Sequence, residues 1–131
     1  MSIKVHFPGN KKVHAESNGF TIETDQPLKA GGDGTAPAPF ELFLASLATC
    51  AGIYVKSFCD ARSLDSTGIT IDQSIKWDSA KNKIGEIIID IKVPEDFPEK
   101  YHEALIRSAD QCAVKKTIQD PPEFEVKVSN N

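Results

Sequence analysis

The fold is decided by the stretch PFELFLASLATCAG, which spans residues 39–52. Pro39 suits the first position of a helix, because its fixed φ is already helical and its missing N–H needs no partner there. Glu41 then falls in the first turn, where the helix dipole favours a negative charge. Residues 45–52, in the middle of the helix, are small nearly all the way round, which indicates that other elements pack closely on several faces. We therefore predict a long, buried central helix over residues 39–62.

The segments on both sides of this helix read mainly as strands. Residues 1–25 alternate apolar and polar side chains around two turn signals, and this predicts a three-stranded antiparallel meander. Residues 26–38 are rich in Gly and Pro, which is typical of a loop. Residues 68–131 predict a β-β-α-β segment, whose last strand carries Phe124, Val126 and Val128. The order β-β-β-α-β-β-α-β indicates a single domain, residues 1–131, of the α+β class.

Two helices cannot cover both faces of six strands. A dimer in which two chains share their sheets would cover the faces left over, so we expect a homodimer.

Length and charge exclude several classes of protein. The chain has 131 residues and a formal net charge of −4. An acidic chain is a poor partner for nucleic acid. The loop Gly31–Gly34 fits the G-x-x-G pattern of K-homology domains, but its Asp33 would repel a phosphate backbone. The longest charge-free stretch, residues 42–55, is shorter than the roughly 20 residues that a membrane span needs. We therefore expect a cytoplasmic protein that binds neither nucleic acid nor membrane.

Cysteine chemistry is the main functional question. Three cysteines are too few, and odd in number, for a disulfide scaffold. Cys50 in the central helix fits either a small core residue or a reactive thiol. Cys59 follows nine residues later on the opposite face, so we expect it to be incidental. Cys112 lies at helical spacing from Leu105 and Ala109, on the inward face of a second helix, where it could meet Cys50.

The sequence predicts no metal site. It contains no C-x-x-C motif, and the histidines have no paired spacing with a cysteine or carboxylate; they are His6, His14 and His102.

Two segments together resemble the OsmC/Ohr family, named for osmotically inducible protein C and organic hydroperoxide resistance protein. The first runs from Gly31 to Cys50 and combines a Gly-rich loop, a Pro-x-Glu-Leu helix start and a cysteine in the helix. The second is Gln111-Cys112-Ala113-Val114, where family members often have Cys-Pro. The order of strands and helices also agrees over nearly the whole chain.

This resemblance implies a thiol peroxidase. Cys50 would attack an organic hydroperoxide and become a sulfenic acid, and Cys112 would resolve it as a disulfide. An external dithiol would reduce that disulfide, and no cofactor would be needed. The family also implies an intertwined homodimer with sites at the subunit interface. Phe40, Phe43 and Tyr54 would line an apolar pocket for the substrate.

The sequence departs from the family at two supporting positions. Hydroperoxide-reducing members place an Arg in the first β-turn, held by a Glu beside the helix-opening Pro. Here the Arg position falls near Asn10, and Phe40 follows Pro39, with Glu41 one residue later. The cations that could substitute are Lys11, Lys12, Lys29 and Arg107. The alternative reading is a non-catalytic protein that binds a small apolar ligand in the dimer groove.

Overall fold

The computed structural model describes residues 1–130 and shows a mixed α+β protein, as predicted. By internal contacts the chain separates into two compact units, Met1–Ala45 and a second unit that begins at Ser46. The regular elements are β1 (Lys4–Gly9), β2 (Lys12–Ser17), β3 (Phe20–Thr24), α1 (Pro39–Ala61), β4 (Thr70–Asp78), β5 (Lys83–Lys92), α2 (His102–Ala109) and α3 (Ala113–Gln119).

Strands β1, β2 and β3 form the predicted antiparallel meander. Asn18 and Gly19 join β2 to β3 with φ values of 50° and 82°. Positive φ at both central residues is what a tight hairpin turn with the correct twist requires. The register places Val5, Ala15 and Ile22 in one row across the sheet. Because side chains alternate along a strand, this apolar face lies opposite the polar one.

The Gly/Pro loop after β3 is held by the buried carboxylate of Asp25. One oxygen accepts a hydrogen bond from the Gln26 N–H at 2.7 Å, and the other accepts two from Thr35, at 3.1 Å from N–H and 2.8 Å from the hydroxyl. Burial alone would raise the pKa of Asp25, but these hydrogen bonds outweigh it and hold the pKa well below its usual range. Asp25 is therefore a charged centre around which the loop folds.

Helix α1 supplies one side of the core of the second unit. Its Ala51, Val55, Phe58 and Cys59 pack in a cluster with residues of the α2 region, namely Phe97, Leu105 and Ala109. Ile53 on another face is 58% exposed, so the helix buries one stripe and not all of its faces within this chain. By length and composition alone α1 could cross a bilayer, as core helices often can. Its packed stripe shows that it is a core helix here.

The predicted second helix is interrupted at Cys112. Helix α2 ends at Ala109, and α3 begins at Ala113. Cys112 lies between them with φ −45° and ψ 119°, and its sulfur accepts a hydrogen bond from the Lys115 N–H at 3.4 Å. It thus caps α3 as a Ser or Asp would. The expectation that Cys112 lies on a helix face is wrong.

The predicted last strand is also not formed within the described chain. Phe124, Val126 and Val128 keep the alternation of a strand, but each is at least 87% exposed. A strand is defined by hydrogen bonds to a neighbouring strand, and the residues around 121–130 have none in this chain.

Candidate functional site

Cys50 and Cys112 come together from different elements. Cys50 lies in α1 and is partly exposed, whereas Cys112 caps α3 and is 1% exposed. Both cysteines are free thiols. The sulfur of Cys112 also lies 3.9 Å from the carbonyl oxygen of Leu47, one turn before Cys50.

The first turn of α3 supplies backbone N–H donors near the two cysteines. The N–H of Lys115 donates to Cys112 at 3.4 Å, and the backbone of Val114 and of Ala113 lowers the pKa of Cys50 through hydrogen bonding. These N–H groups are available because the first residues of a helix have no intrahelical acceptor. We call Ala113, Val114 and Lys115 the amide cradle.

The cradle and the burial of Cys112 shift the pKa values of the two thiols in opposite directions. The hydrogen bond from Val114, followed by those from Cys112 and Ala113, lowers the pKa of Cys50 despite partial burial. Burial raises the pKa of Cys112, and its hydrogen bond to Cys50 adds to this. Cys50 is therefore the more acidic thiol of the two.

We expect Cys50 to be alkylated by iodoacetamide at lower pH than an ordinary thiol, whose pKa is about 8.5. Ala113→Pro removes one cradle N–H and should move the alkylation midpoint of Cys50 upward. Proline fits there, because Ala113 is the first residue of α3 and the backbone of Cys112 is already extended.

Peptide mass spectrometry after alkylation at a series of pH values measures this midpoint. Ala113→Gly keeps the N–H and is the matched control. A midpoint that moves equally in both variants would contradict a role for the Ala113 amide.

The two segments that carry the sequence hallmarks thus place Cys50 within α1 and Cys112 at the start of α3. A profile described as OsmC-like protein matches residues 32–127 of the chain. The chain belongs to the OsmC-like family. No protein of curated function matches the sequence of this chain.

Solved structures show that this OsmC-like chain shares its fold with several proteins. A Psychrobacter arcticus protein named for an osmotic stress and detoxification response is 24% identical, covering 89% of this chain and 87% of that one, with a TM-score of 0.74. The organic hydroperoxide resistance protein OsmC of Legionella pneumophila is 20% identical over 90% and 88%, with a TM-score of 0.59. The organic hydroperoxide resistance protein OhrB of Bacillus subtilis is 22% identical over 89% and 90%, with a TM-score of 0.52.

The supporting residues predicted from the sequence have other partners in this OsmC-like protein. Glu41 accepts a hydrogen bond from the Ala38 N–H at 2.7 Å and so caps the start of α1. Lys12 forms an ion pair with Asp33, which raises the pKa of Lys12, and lies 3.9 Å from the carboxylate of Asp25. Arg107 is exposed on α2, 4.0 Å from Glu103.

Hydrogen bonding is the cause of the lowered pKa of Cys50. Among the described residues, the interactions that lower its pKa are all hydrogen bonds, from the cradle and from Cys112. Lys11 is exposed in the β1–β2 turn, with its Cε 3.8 Å from where a Cβ on Gly31 would lie. The sequence predicts a charged side chain for this role and not the cradle. The local indication of the cradle is that family members often have Pro directly after this cysteine. Pro is typical of a first helical position, so it indicates that a helix begins there.

The three predicted pocket residues all belong to α1. Phe40 and Phe43 are exposed, and their rings stack with centroids 5.5 Å apart. Tyr54 is half-buried and borders a shallow depression with Ile53 and Ser57. Cys59 is fully buried in the core, where burial raises its pKa, as expected of a structural cysteine.

A cavity of about 240 Å³ lies beside Cys112. Its walls are mainly apolar and include Ala51, Ile89, Ile91, Ile106 and Ala109. At its edge Lys115 forms an ion pair with Asp110. Within residues 1–130, no three His, Cys, Asp or Glu side chains are arranged to hold a metal ion.

Proposed function

We propose that this OsmC-like protein is a thiol-dependent peroxidase that reduces organic hydroperoxides, with Cys50 peroxidatic and Cys112 resolving. The observation that carries the proposal is the position of Cys112, which caps α3 with its sulfur 3.9 Å from the Leu47 carbonyl oxygen, one turn before Cys50 on α1. The lowered pKa of Cys50 and the raised pKa of Cys112 fit their proposed roles. The likeness in fold to proteins named for organic hydroperoxide resistance supports it.

The first step uses the thiolate of Cys50. It attacks the terminal oxygen of the hydroperoxide, an S–O bond forms, and the O–O bond breaks. Cys50 becomes a sulfenic acid, and the departing alkoxide takes up a proton to leave as an alcohol. Two electrons pass from sulfur to the peroxide. The amide cradle supplies the hydrogen bonds that keep Cys50 deprotonated for this step without a cationic side chain.

The second step uses the retained proton of Cys112. Its sulfur attacks the sulfenic sulfur, an S–S bond forms, and hydroxide leaves as water with the proton of Cys112. An external dithiol then exchanges with the disulfide, restores both thiols and becomes oxidised itself. No cofactor takes part in the proposed cycle.

The peroxidase activity that we propose belongs to a cytoplasmic homodimer. The support for a dimer is apolar surface that the single chain leaves uncovered. Phe7 on the N-terminal sheet is 80% exposed, and Val126 in the C-terminal segment is 97% exposed. A second copy that paired with this segment would supply the strand partner that it lacks.

The test adds one equivalent of cumene hydroperoxide to the reduced protein, followed by peptide mapping and a steady-state assay with a dithiol. We expect a Cys50–Cys112 disulfide, an unmodified Cys59 and continuous peroxide consumption. Cys59→Ser should leave the disulfide and the consumption unchanged. A reduced protein that consumes no hydroperoxide would overturn the proposal and favour the alternative, a protein that only binds apolar ligands.

A further inference from the structure

Two histidines face each other across the β1–β2 hairpin. His6 and His14 are directly paired in the register of the two strands. Their ring centroids are 5.6 Å apart, and the ring planes are inclined by 80°. The pair is unconnected with the thiol chemistry proposed above.

The pair lies on the polar face of the sheet. Val5 and Ala15, the neighbouring register pair, alternate to the other face. Glu23 of β3 is in register with His14, so a carboxylate-bearing residue continues the row across the sheet on the side of the histidines. His6 is exposed and His14 half-buried, so an ion from solvent can reach the imidazoles.

The spacing of the imidazoles is close to what one shared metal ion requires. Metal–nitrogen distances near 2.0–2.1 Å put the centroids of two coordinating imidazoles about 4.5–5.5 Å apart. The observed 5.6 Å therefore needs only a small side-chain adjustment. The pairing of two strands fixes both backbones, so little ordering is required on binding.

We propose that His6 and His14 form a binding site for a divalent late first-row metal ion, with water in the remaining positions. Imidazole ligands favour Ni²⁺, Cu²⁺ and Zn²⁺, whereas Mg²⁺ and Ca²⁺ need several oxygen ligands. The sequence prediction of no metal site considered only cysteine and carboxylate spacing. The symmetry of the hairpin brings the two histidines together, because residues 6 and 14 are equally distant from the turn around Asn10.

The test is a titration of the tag-free, full-length protein, labelled with ¹⁵N, with NiCl₂ alone. Paramagnetic broadening of amide resonances reports both the affinity and the place of binding. We expect broadening centred on β1 and β2 in the wild type. His6→Gln and His14→Gln should each weaken the binding of Ni²⁺ there by about tenfold or more.

His102→Gln is the matched control, because His102 is an exposed histidine on α2 and outside the pair. It should bind Ni²⁺ at β1 and β2 as the wild type does. Wild-type broadening centred on the cysteines or on α2 would overturn the proposal. So would affinities of His6→Gln and His14→Gln equal to that of the wild type, provided that their spectra show the folded sheet.

Discussion

Replacing Cys50 with serine is expected to lower the rate of hydroperoxide reduction by about a thousandfold or more. The hydroxyl of serine ionises far less readily than a thiol, and the proposed step depends on an ionised, polarisable sulfur. The cradle lowers the pKa of a thiol by hydrogen bonds, and such an effect is far too small to ionise a serine hydroxyl. The measurement is dithiol-dependent consumption of cumene hydroperoxide at neutral pH.

Cys112→Ser separates the role of the second thiol from that of the first. This variant retains the nucleophile, so one equivalent of hydroperoxide should still be consumed and leave a sulfenic acid on Cys50. A sulfenic acid reacts with dimedone, and the adduct is detected by mass spectrometry on the Cys50 peptide. Turnover beyond one equivalent should then depend on direct reduction of the sulfenic acid by the dithiol.

The two variants together give the proposed roles distinct outcomes. Cys50→Ser should lose the first equivalent, whereas Cys112→Ser should keep it and lose the intramolecular disulfide. Equal peroxide consumption by Cys50→Ser and wild type would contradict the assignment of Cys50. A dimedone adduct on Cys112 in the wild type would reverse the two roles.

Local features were predictable from the sequence because their causes are local. Asn18 and Gly19 tolerate positive φ, and the predicted turn forms at these two residues. Pro39 and Glu41 fit the first turn of a helix, and α1 begins at Pro39. The recognisable spacing around Cys50 and Cys112 was enough to indicate the family.

Features that depend on distant parts of the chain were not predictable in this way. The turn at Cys112 brings its sulfur to 3.9 Å from the Leu47 carbonyl oxygen although the two residues are far apart in sequence, whereas helical periodicity alone favours an unbroken helix. The backbone N–H of Val114 has no sequence signature, since every residue other than proline carries one. The segment around Val126 has the pattern of a strand, but strand pairing also needs a neighbour.

Replacing Gly32 with alanine is expected to destabilise the N-terminal unit by about 3–5 kcal/mol, a large share of the stability of an ordinary domain. A Cβ at this position would lie 1.9 Å from the carbonyl oxygen of Gln26 and 2.4 Å from its carbonyl carbon. Both are backbone atoms, so no side-chain rotation relieves the clash. Gln26 also cannot shift freely, because its N–H donates to Asp25 and its carbonyl oxygen accepts from the Gly34 N–H at 3.0 Å.

Gly34→Ala is the matched control in the same loop. Gly34 has φ 65°, which costs a non-glycine residue about 1–2 kcal/mol, but a Cβ there would only touch the Leu28 side chain at 3.9 Å. Urea unfolding of the three proteins compares the cost of left-handed backbone with the cost of a backbone clash. We expect the free energy of unfolding to fall in the order wild type, Gly34→Ala, Gly32→Ala. If Gly32→Ala were as stable as Gly34→Ala, the close approach of residues 26 and 32 would not be what requires glycine. In that case the hydrogen bonds of Asp25 would break at little cost in free energy. The loop that precedes α1 would then be flexible and would not fix the position at which the helix starts.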